Sequence, residues 1–264
     1  MNKGMTGFQL KIVGVVTMVI DHLAEFFMTL GVPMWFHWIG RIAAPLFLFE
    51  SSEGFIHTSN RKKYMFRLLA GYWLMGIINL ILNHYFAIGD AIVINNIFGT
   101  LFLGTVYMQA CEYFKQRETF TKGLVWFLVP TLLSILSIVL LSNNTLLGST
   151  FGMLFFQAFN LLVPTLLLTE GGILFVALAV MFYLFHGKKA LQVAAVVIVA
   201  AITLIFGGGI QYAFTMNYQW MMLLAVIPII LYNGEKGRSM RNFFYIFYPA
   251  HIALFAIISF LIQR

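Results

Sequence analysis

An all-α, polytopic bundle of about nine or ten membrane-spanning helices is the fold class this sequence predicts. Three observations carry that prediction. Hydrophobic residues occupy 61% of the 264 positions and charged residues only 9%, with a mean hydropathy of +0.91; soluble domains average about 25% charged. Apolar runs of roughly 17 to 25 residues, the length that crosses a bilayer, follow one another along the chain. The Lys and Arg residues fall mostly in short loops between those runs, where they set orientation and meet anionic headgroups. The net charge of +7 therefore points to a membrane surface or an anionic ligand, and a nucleic-acid partner is not expected. The single cysteine, Cys111, excludes an internal disulfide framework and reads as a small apolar filler.

Taken in order, spans are expected near 8–30, 36–57, 64–84, 93–114, 122–142, 170–186, 189–207, 212–232 and 243–262. The first run is longer than a signal peptide and lacks a small-residue cleavage site, so it reads as a retained helix. Segment 143–169 holds Asn143, Asn144, Gln157, Asn160 and Pro164, and is either a tenth span or a re-entrant or interfacial piece. The distribution of cations decides between the two. With the N-terminus in the cytoplasm and nine spans, the clusters Arg61-Lys62-Lys63-Arg67, Lys115-Arg117-Lys122, Lys188-Lys189 and Lys236-Arg238-Arg241 all fall inside. Only Arg41 and Arg264 then face outward. A tenth span would move both late clusters outside, so 143–169 is read as lying along or dipping into the outer surface. No repeat or linker divides residues 1–264, which read as one integral domain.

Several polar residues sit where hydrocarbon makes them costly. Asp21 and His22 lie about halfway along the first helix. Adjacent side chains point about 100° apart, so Asp21 is expected to pair with a cation on another helix, with Arg41 the natural candidate, while His22 faces a cavity. The bland alternative is a packing pair bonded to a neighbouring helix. Glu50, Glu53 and His57 form one stripe at i, i+3 and i+7, extended by Arg61 if the helix continues; its bland reading is solvation at the interface, most of all for His57. Gly54 beside this stripe lets a ligand or backbone come close. Pro45 frees the carbonyl of Arg41 and is expected to kink the second helix. The basic runs at 61–67 and 236–241 are ordinary anchors on base rates, but would form a phosphate-binding mouth if they converge. His251, beside Pro249 in the last helix, is by itself a weak signal, as are His37 and His84 near the outer interface and His186 beside Lys188. Glu170 in Thr169-Glu170-Gly171-Gly172 is expected at the outer mouth. No Walker loop, nucleophile elbow or metal-binding His pair is present, and no metal is expected.

The order Asp21-His22, Gly40-Arg41 with Pro45-Leu46-Phe47, Glu53-Gly54-Phe55, His57-Thr58, Asn60-Arg61, Tyr64 and Arg67-Leu68 resembles the N-terminal signature of the TraX family. Tyr232-Asn233-Gly234, Lys236-Gly237, Phe244-Tyr245 and Phe247-Tyr248-Pro249 with His251 resemble its closing motif. Between about 85 and 230 the likeness is in hydropathy and the Thr169–Gly172 patch. The family is named for a protein that N-acetylates a pilin subunit, so the resemblance implies a membrane acetyltransferase using acetyl-CoA as co-substrate. It also implies a general plan like that of multi-spanning acyltransferases, and a multi-pass bacterial inner membrane location. The acceptor is left open between a protein N-terminus, a glycan and a small molecule, and self-association of the chain is left open too.

The residues suit that chemistry. Acyl transfer from a thioester needs a base for an amine or hydroxyl proton and donors for the developing oxyanion. An imidazole shielded from water suits the first role, assigned to His22 with Asp21 and His251 nearby; Arg41 or Tyr248 suits the second. The donor's phosphates are expected to meet Arg61, Lys62, Arg67, Arg238 and Arg241. The motif residues His57, Asn60, Tyr64 and Asn233 complete the expected donor site, and Glu50, Glu53 and Glu170 are assigned to substrate. Two readings from other classes stand beside this one. They are a proton-coupled transporter using Asp21, His22 and Glu50 as a relay, and a non-enzymatic membrane assembly protein whose polar residues join helices.

Overall fold

The computed structural model describes residues 4–87, 92–239 and 241–263, with backbone alone at 241 and 242. Twelve α-helices are seen among them. They are α1 (Gly7–Phe27), α2 (Trp35–Gly40), α3 (Ala43–His57), α4 (Arg61–Tyr85), α5 (Ile97–Phe114), α6 (Phe120–Ser142), α7 (Asn144–Leu147), α8 (Thr150–Leu162), α9 (Gly172–Leu184), α10 (Lys189–Phe206), α11 (Val226–Leu231) and α12 (Arg241–Gln263). Among the described residues there is no strand beyond one parallel bridge, Met5 to Tyr232. Among the described residues five stretches are long and apolar enough to cross a membrane: Gly7–Leu30, Arg61–Tyr85, Arg117–Ser142, Lys189–Phe206 and Phe243–Gln263. The chain is a helical membrane protein.

The other crossings are broken rather than short by accident. In the expected second span the helix stops at Gly40 and restarts at Ala43, where a kink was predicted. Pro45 has no N–H for the Arg41 carbonyl, so the ladder is interrupted after Arg41, whose own N–H still donates to the His37 carbonyl (3.2 Å). Asp21 packs directly on Gly40, leaving no room for a Cβ there. The expected fourth span begins at Ile97 instead of 93. Residues 92–96 run without helix beside α4, held by Asn83 to Val93 (2.7 and 2.9 Å), Asn79 Nδ2 to the Asn95 carbonyl (3.0 Å) and Asn96 Nδ2 to the Tyr72 carbonyl (3.0 Å). Asparagine side chains thus replace the backbone partners that lipid cannot supply.

Segment 143–169 resolves into α7, α8 and an irregular tail. Thirteen residues of α8 rise only about 20 Å, short of the roughly 30 Å hydrocarbon core, so α8 is no tenth span. Its end is fixed at mid-bundle. The Tyr72 hydroxyl donates to the Asn160 carbonyl, Trp73 Nε1 donates to the Leu162 carbonyl (2.9 Å) and Ser137 Oγ donates to Asn160 Oδ1 (3.0 Å). The chain then turns at Gly171 and Gly172, with φ of 71° and 56°, into α9. A Cβ on Gly171 would overlap the Phe175 ring. Helix α9, also thirteen residues, is shorter than the span expected near 170–186. Where 212–232 was expected as a single span, a 3-10 turn over Gln219–Ala225 leads into the short α11.

The start of α1 is tied to the late basic loop. Met5 N–H donates to the Leu231 carbonyl (2.7 Å), Gly7 N–H to that of Glu235 (2.8 Å) and Phe8 N–H to that of Lys236 (3.0 Å). Thr6 and Gln9 close a capping box there, satisfying two orphan donors. The core between α3, α5 and α9 is filled by Phe49, Phe55, Leu178 and Phe182, all buried.

Candidate functional site

Two cavities lie end to end inside the bundle. The larger, about 380 Å³, opens between the two basic loops, with Arg67, Lys236, Arg238 and His57 at its mouth and Tyr64, Glu50 and Glu53 in its wall. It runs inward to Met18, Phe47, Ile97 and Tyr248. The same four residues wall a smaller chamber of about 100 Å³ that also holds Asp21, His22, Arg41, Glu170 and Gln219. His22 is fifteen residues beyond Gly7, roughly 22 Å along α1 at 1.5 Å per residue. The chamber therefore lies past the middle of the bundle, away from the basic mouth.

In the mouth cavity Glu50 is buried and paired with Lys11, while its Oε1 has no partner. Glu53, expected to be solvated on the bland reading, is buried; it receives His186 Nδ1 at 2.8 Å and the Tyr232 hydroxyl at 3.2 Å. His57 remains exposed, its Nδ1 donating to the Glu53 carbonyl at 2.9 Å. The Tyr64 ring packs on Gly54, and its hydroxyl meets Ser51 Oγ at 3.2 Å.

In the chamber the Asp21 carboxylate is held on both oxygens, by His37 Nδ1 (2.8 Å) and by the Arg41 guanidinium. Arg41 also donates to Gln219 Oε1 (3.2 Å) and lies over the Tyr218 ring, on which His37 stacks. Arg41 Nε and Gln219 Nε2 are buried without partners. Tyr248 accepts from Ile97 N–H (3.2 Å) and donates to Glu170 Oε2 (3.4 Å). Three broken helices, α3, α5 and α9, begin at this chamber, as its lining residues Ala43, Ile97 and Gly171 record. Their positive dipole ends converge there.

His22 and His251 meet at 2.7 Å, Nδ1 to Nε2, both buried. The Phe247 carbonyl, 2.9 Å from His251 Nδ1, can only accept, so that nitrogen carries the hydrogen. His251 Nε2 then accepts from His22 Nδ1–H when both rings are neutral. The lone pair of the couple is left on His22 Nε2. A stack on Phe247 (ring centroids 5.0 Å apart) and edge contacts from Tyr248 and Phe255 fix the His251 ring.

Some expected donor-site residues lie elsewhere. Arg61 pairs with Glu112 (3.3 Å) and covers the Phe55 ring, and Lys62 is exposed outside the cavity. Asn60 caps α4 by accepting from Lys63 N–H (2.9 Å), and Asn233 shapes its own loop by accepting from Glu235 N–H (2.9 Å). Arg241 opens α12, but its side chain lies outside the described residues. Sequence reasoning did not single out Lys11, Glu25, Asn95, Tyr218 or Gln219, and placed His37 at the outer interface although it is buried. His37 sits four residues before Arg41 and Glu25 three after His22, spacings that share a helical face; Asn95 and Gln219, in non-helical or 3-10 backbone, gave no periodic signal. Among the described residues no three metal-ligating side chains converge.

A broken-helix membrane bundle enclosing a basic-mouthed cavity and a buried His-His couple defines the class. The family described as TraX protein matches residues 6–259, nearly the whole chain, and the protein belongs to the TraX family. A 72-residue stretch is 38% identical to a probable fimbrial assembly protein FimC, serogroup H1, of Dichelobacter nodosus, covering 26% of this chain and only 29% of that relative's length. No solved structure matches.

Proposed function

We propose that this chain is a membrane acetyltransferase that takes an acetyl group from acetyl-CoA at the basic face and transfers it to an amine or hydroxyl beside His22. One observation carries the reading: a cavity leads from the cations Arg67, Lys236 and Arg238 to a chamber lined by His22, a buried imidazole whose Nε2 keeps its lone pair, with the Asn95 amide 3.3 Å away. The cations suit the phosphates of the donor, and the apolar wall of Met18, Phe47 and Leu101 suits its thioester arm. In the reaction the acceptor's N–H or O–H proton passes to His22 Nε2, its lone pair forms the new bond to the acetyl carbon, and the C–S bond breaks. The thiolate then takes that proton from His22 and leaves as the free thiol, which returns the imidazole to its neutral form, so atoms and charge balance. For the oxyanion, Tyr248 can turn its hydroxyl hydrogen away from Glu170, the positive ends of α5 and α9 add favourable potential, and Arg41, committed to Asp21, acts through its remaining Nε. On this reading the basic face is cytosolic, in a bacterial inner membrane, and a pilus or fimbrial component is one candidate acceptor.

The test uses purified protein in detergent. Acetyl-CoA should raise the melting temperature and radiolabelled acetyl-CoA should give labelled acceptor from a membrane extract. His22→Gln should keep the first and lose the second at least a hundredfold. Full transfer by His22→Gln would remove the base assignment; no stabilisation of the parent protein by acetyl-CoA would remove the reading altogether.

A further inference from the structure

Gln219 lines the small chamber from the start of the 3-10 turn Gln219–Ala225. Its Oε1 accepts from Arg41 Nη1 at 3.2 Å. A guanidinium can only donate, so that contact fixes which way the amide is turned and leaves Nε2 as the remaining end. Nε2 is buried without a partner, and so is Arg41 Nε. Two residues bonded to each other, both lining one chamber of about 100 Å³, thus each keep an N–H with nothing to donate to. Buried donors are ordinarily satisfied, and the group that would satisfy these is an oxygen acceptor. Charge decides which kind. Among the described residues lining the chamber, one guanidinium, Arg41, faces two carboxylates, Asp21 and Glu170, and Asp21 already holds it. A carboxylate or phosphate entering there would meet Glu170 with no cation to spare, whereas a neutral carbonyl oxygen would not.

We propose that Gln219 Nε2 donates to the carbonyl oxygen of the reacting thioester and is a further catalytic residue of the transfer. The inference rests on the acyl-transfer reading above. As the acceptor's lone pair bonds to the carbonyl carbon, the C=O π pair moves onto the oxygen, where the Gln219 N–H holds it; the pair returns as the C–S bond breaks. Gln219 gives up no proton in the cycle. The oxygen gains its charge only on attack, so a donor fixed beforehand favours the transition state over the bound thioester. The fixing is visible: Asp21 holds Arg41, and Arg41 holds the Gln219 amide. Asp21 directly precedes His22 on α1, so one turn of that helix sets both the base and, through Arg41, the amide.

Two unreactive ligands test this on the full-length protein in detergent. One is the ketone analogue of acetyl-CoA, with CH2 replacing the thioester sulfur and ¹³C at the carbonyl; the other is S-ethyl-CoA, which lacks the carbonyl oxygen. The parent should bind the ketone about tenfold or more tightly than S-ethyl-CoA, and its ¹³C resonance should move downfield on binding. Gln219→Met should abolish that preference, return the resonance upfield and lower kcat about a hundredfold or more, with S-ethyl-CoA affinity unchanged. Gln219→Glu keeps an oxygen for Arg41 but has no N–H, and should lose the preference too. Retention of the preference by Gln219→Glu would mean that Gln219 only holds Arg41, and overturns the donor role. Equal affinities of the two ligands for the parent overturn it as well, whether or not a variant folds. Binding of neither ligand would sink the acetyl-CoA reading and this inference with it; binding of both alike sinks this inference alone.

Discussion

Replacing Asp21 by Asn tests the arrangement that fixes the chamber. The Asp21 side chain is 14% exposed and Arg41 25%, so neither charge is well solvated. Asparagine keeps one acceptor oxygen and removes the charge, leaving Arg41 with Gln219 Oε1 and the Tyr218 ring. Breaking a buried pair on one side costs about 3–5 kcal/mol. The oxygen that remains and the partial exposure of Arg41 place this case near the lower end, about 3 kcal/mol. For a chain of this size that corresponds to a fall in melting temperature of roughly 6–12 °C, readable by tryptophan fluorescence in detergent. Asp21→Asn with Arg41→Met removes both charges, so the double variant should lose less than the sum of the singles by at least about 1.5 kcal/mol. Strictly additive losses, or a single variant within about 2 °C of the parent, would refute the claim that this pair is held out of water.

The remaining predictions concern the helix breaks and the mouth. Gly171→Ala places a side chain at a φ of 71° and against Phe175; a loss of at least about 2 kcal/mol is expected, checked by thermal melting, and an unchanged melting point would contradict the turn. Tyr72→Phe removes the hydroxyl that meets the Asn160 carbonyl, leaving a buried acceptor at a cost of about 1–3 kcal/mol. Faster amide exchange should follow at 160–166, whereas slowed or unchanged exchange there would argue against the anchor. Arg67→Ala with Arg238→Ala should weaken acetyl-CoA about tenfold or more and flatten its salt dependence. If 3′-dephospho-CoA and acetyl-CoA lose affinity alike, the cations are reading the diphosphate rather than the 3′-phosphate.

The long helices were legible because a uniform apolar run of bilayer length has one reading in lipid. The pairing of Asp21 with Arg41 was legible for a related reason: two opposite charges in low-dielectric surroundings have few other partners. What could not be read was where helices stop inside the membrane. Pro45 predicted a disturbance, but whether it bends or breaks the helix depends on Gly40 lying against Asp21, a tertiary contact. The start of α5 depends on Asn79, Asn83, Asn95 and Asn96 finding backbone groups on a neighbouring segment. Likewise Arg61 was drawn to the mouth by composition, and it is Glu112, on another helix, that takes it away.

The breaks also explain why a cluster of charged and aromatic side chains can persist in this bundle. A continuous helix presents lipid-compatible backbone and nothing else; an interrupted one exposes N–H groups that need acceptors. Here the beginnings of α3, α5 and α9 turn those groups toward the chamber holding Asp21, Glu170 and the Tyr248 oxygen, so acidic side chains and helix ends offset one another's desolvation. Ile97 N–H bonded to Tyr248, which in turn donates to Glu170, is that compensation seen at a single point. Removing the Tyr248 hydroxyl should therefore disturb the helix start at Ile97 as well as any transfer reaction, and Tyr248→Phe should lower both thermal stability and the exchange protection of the Ile97 amide. A variant that loses transfer alone, with that amide still protected, would mean the chamber is held together by other contacts.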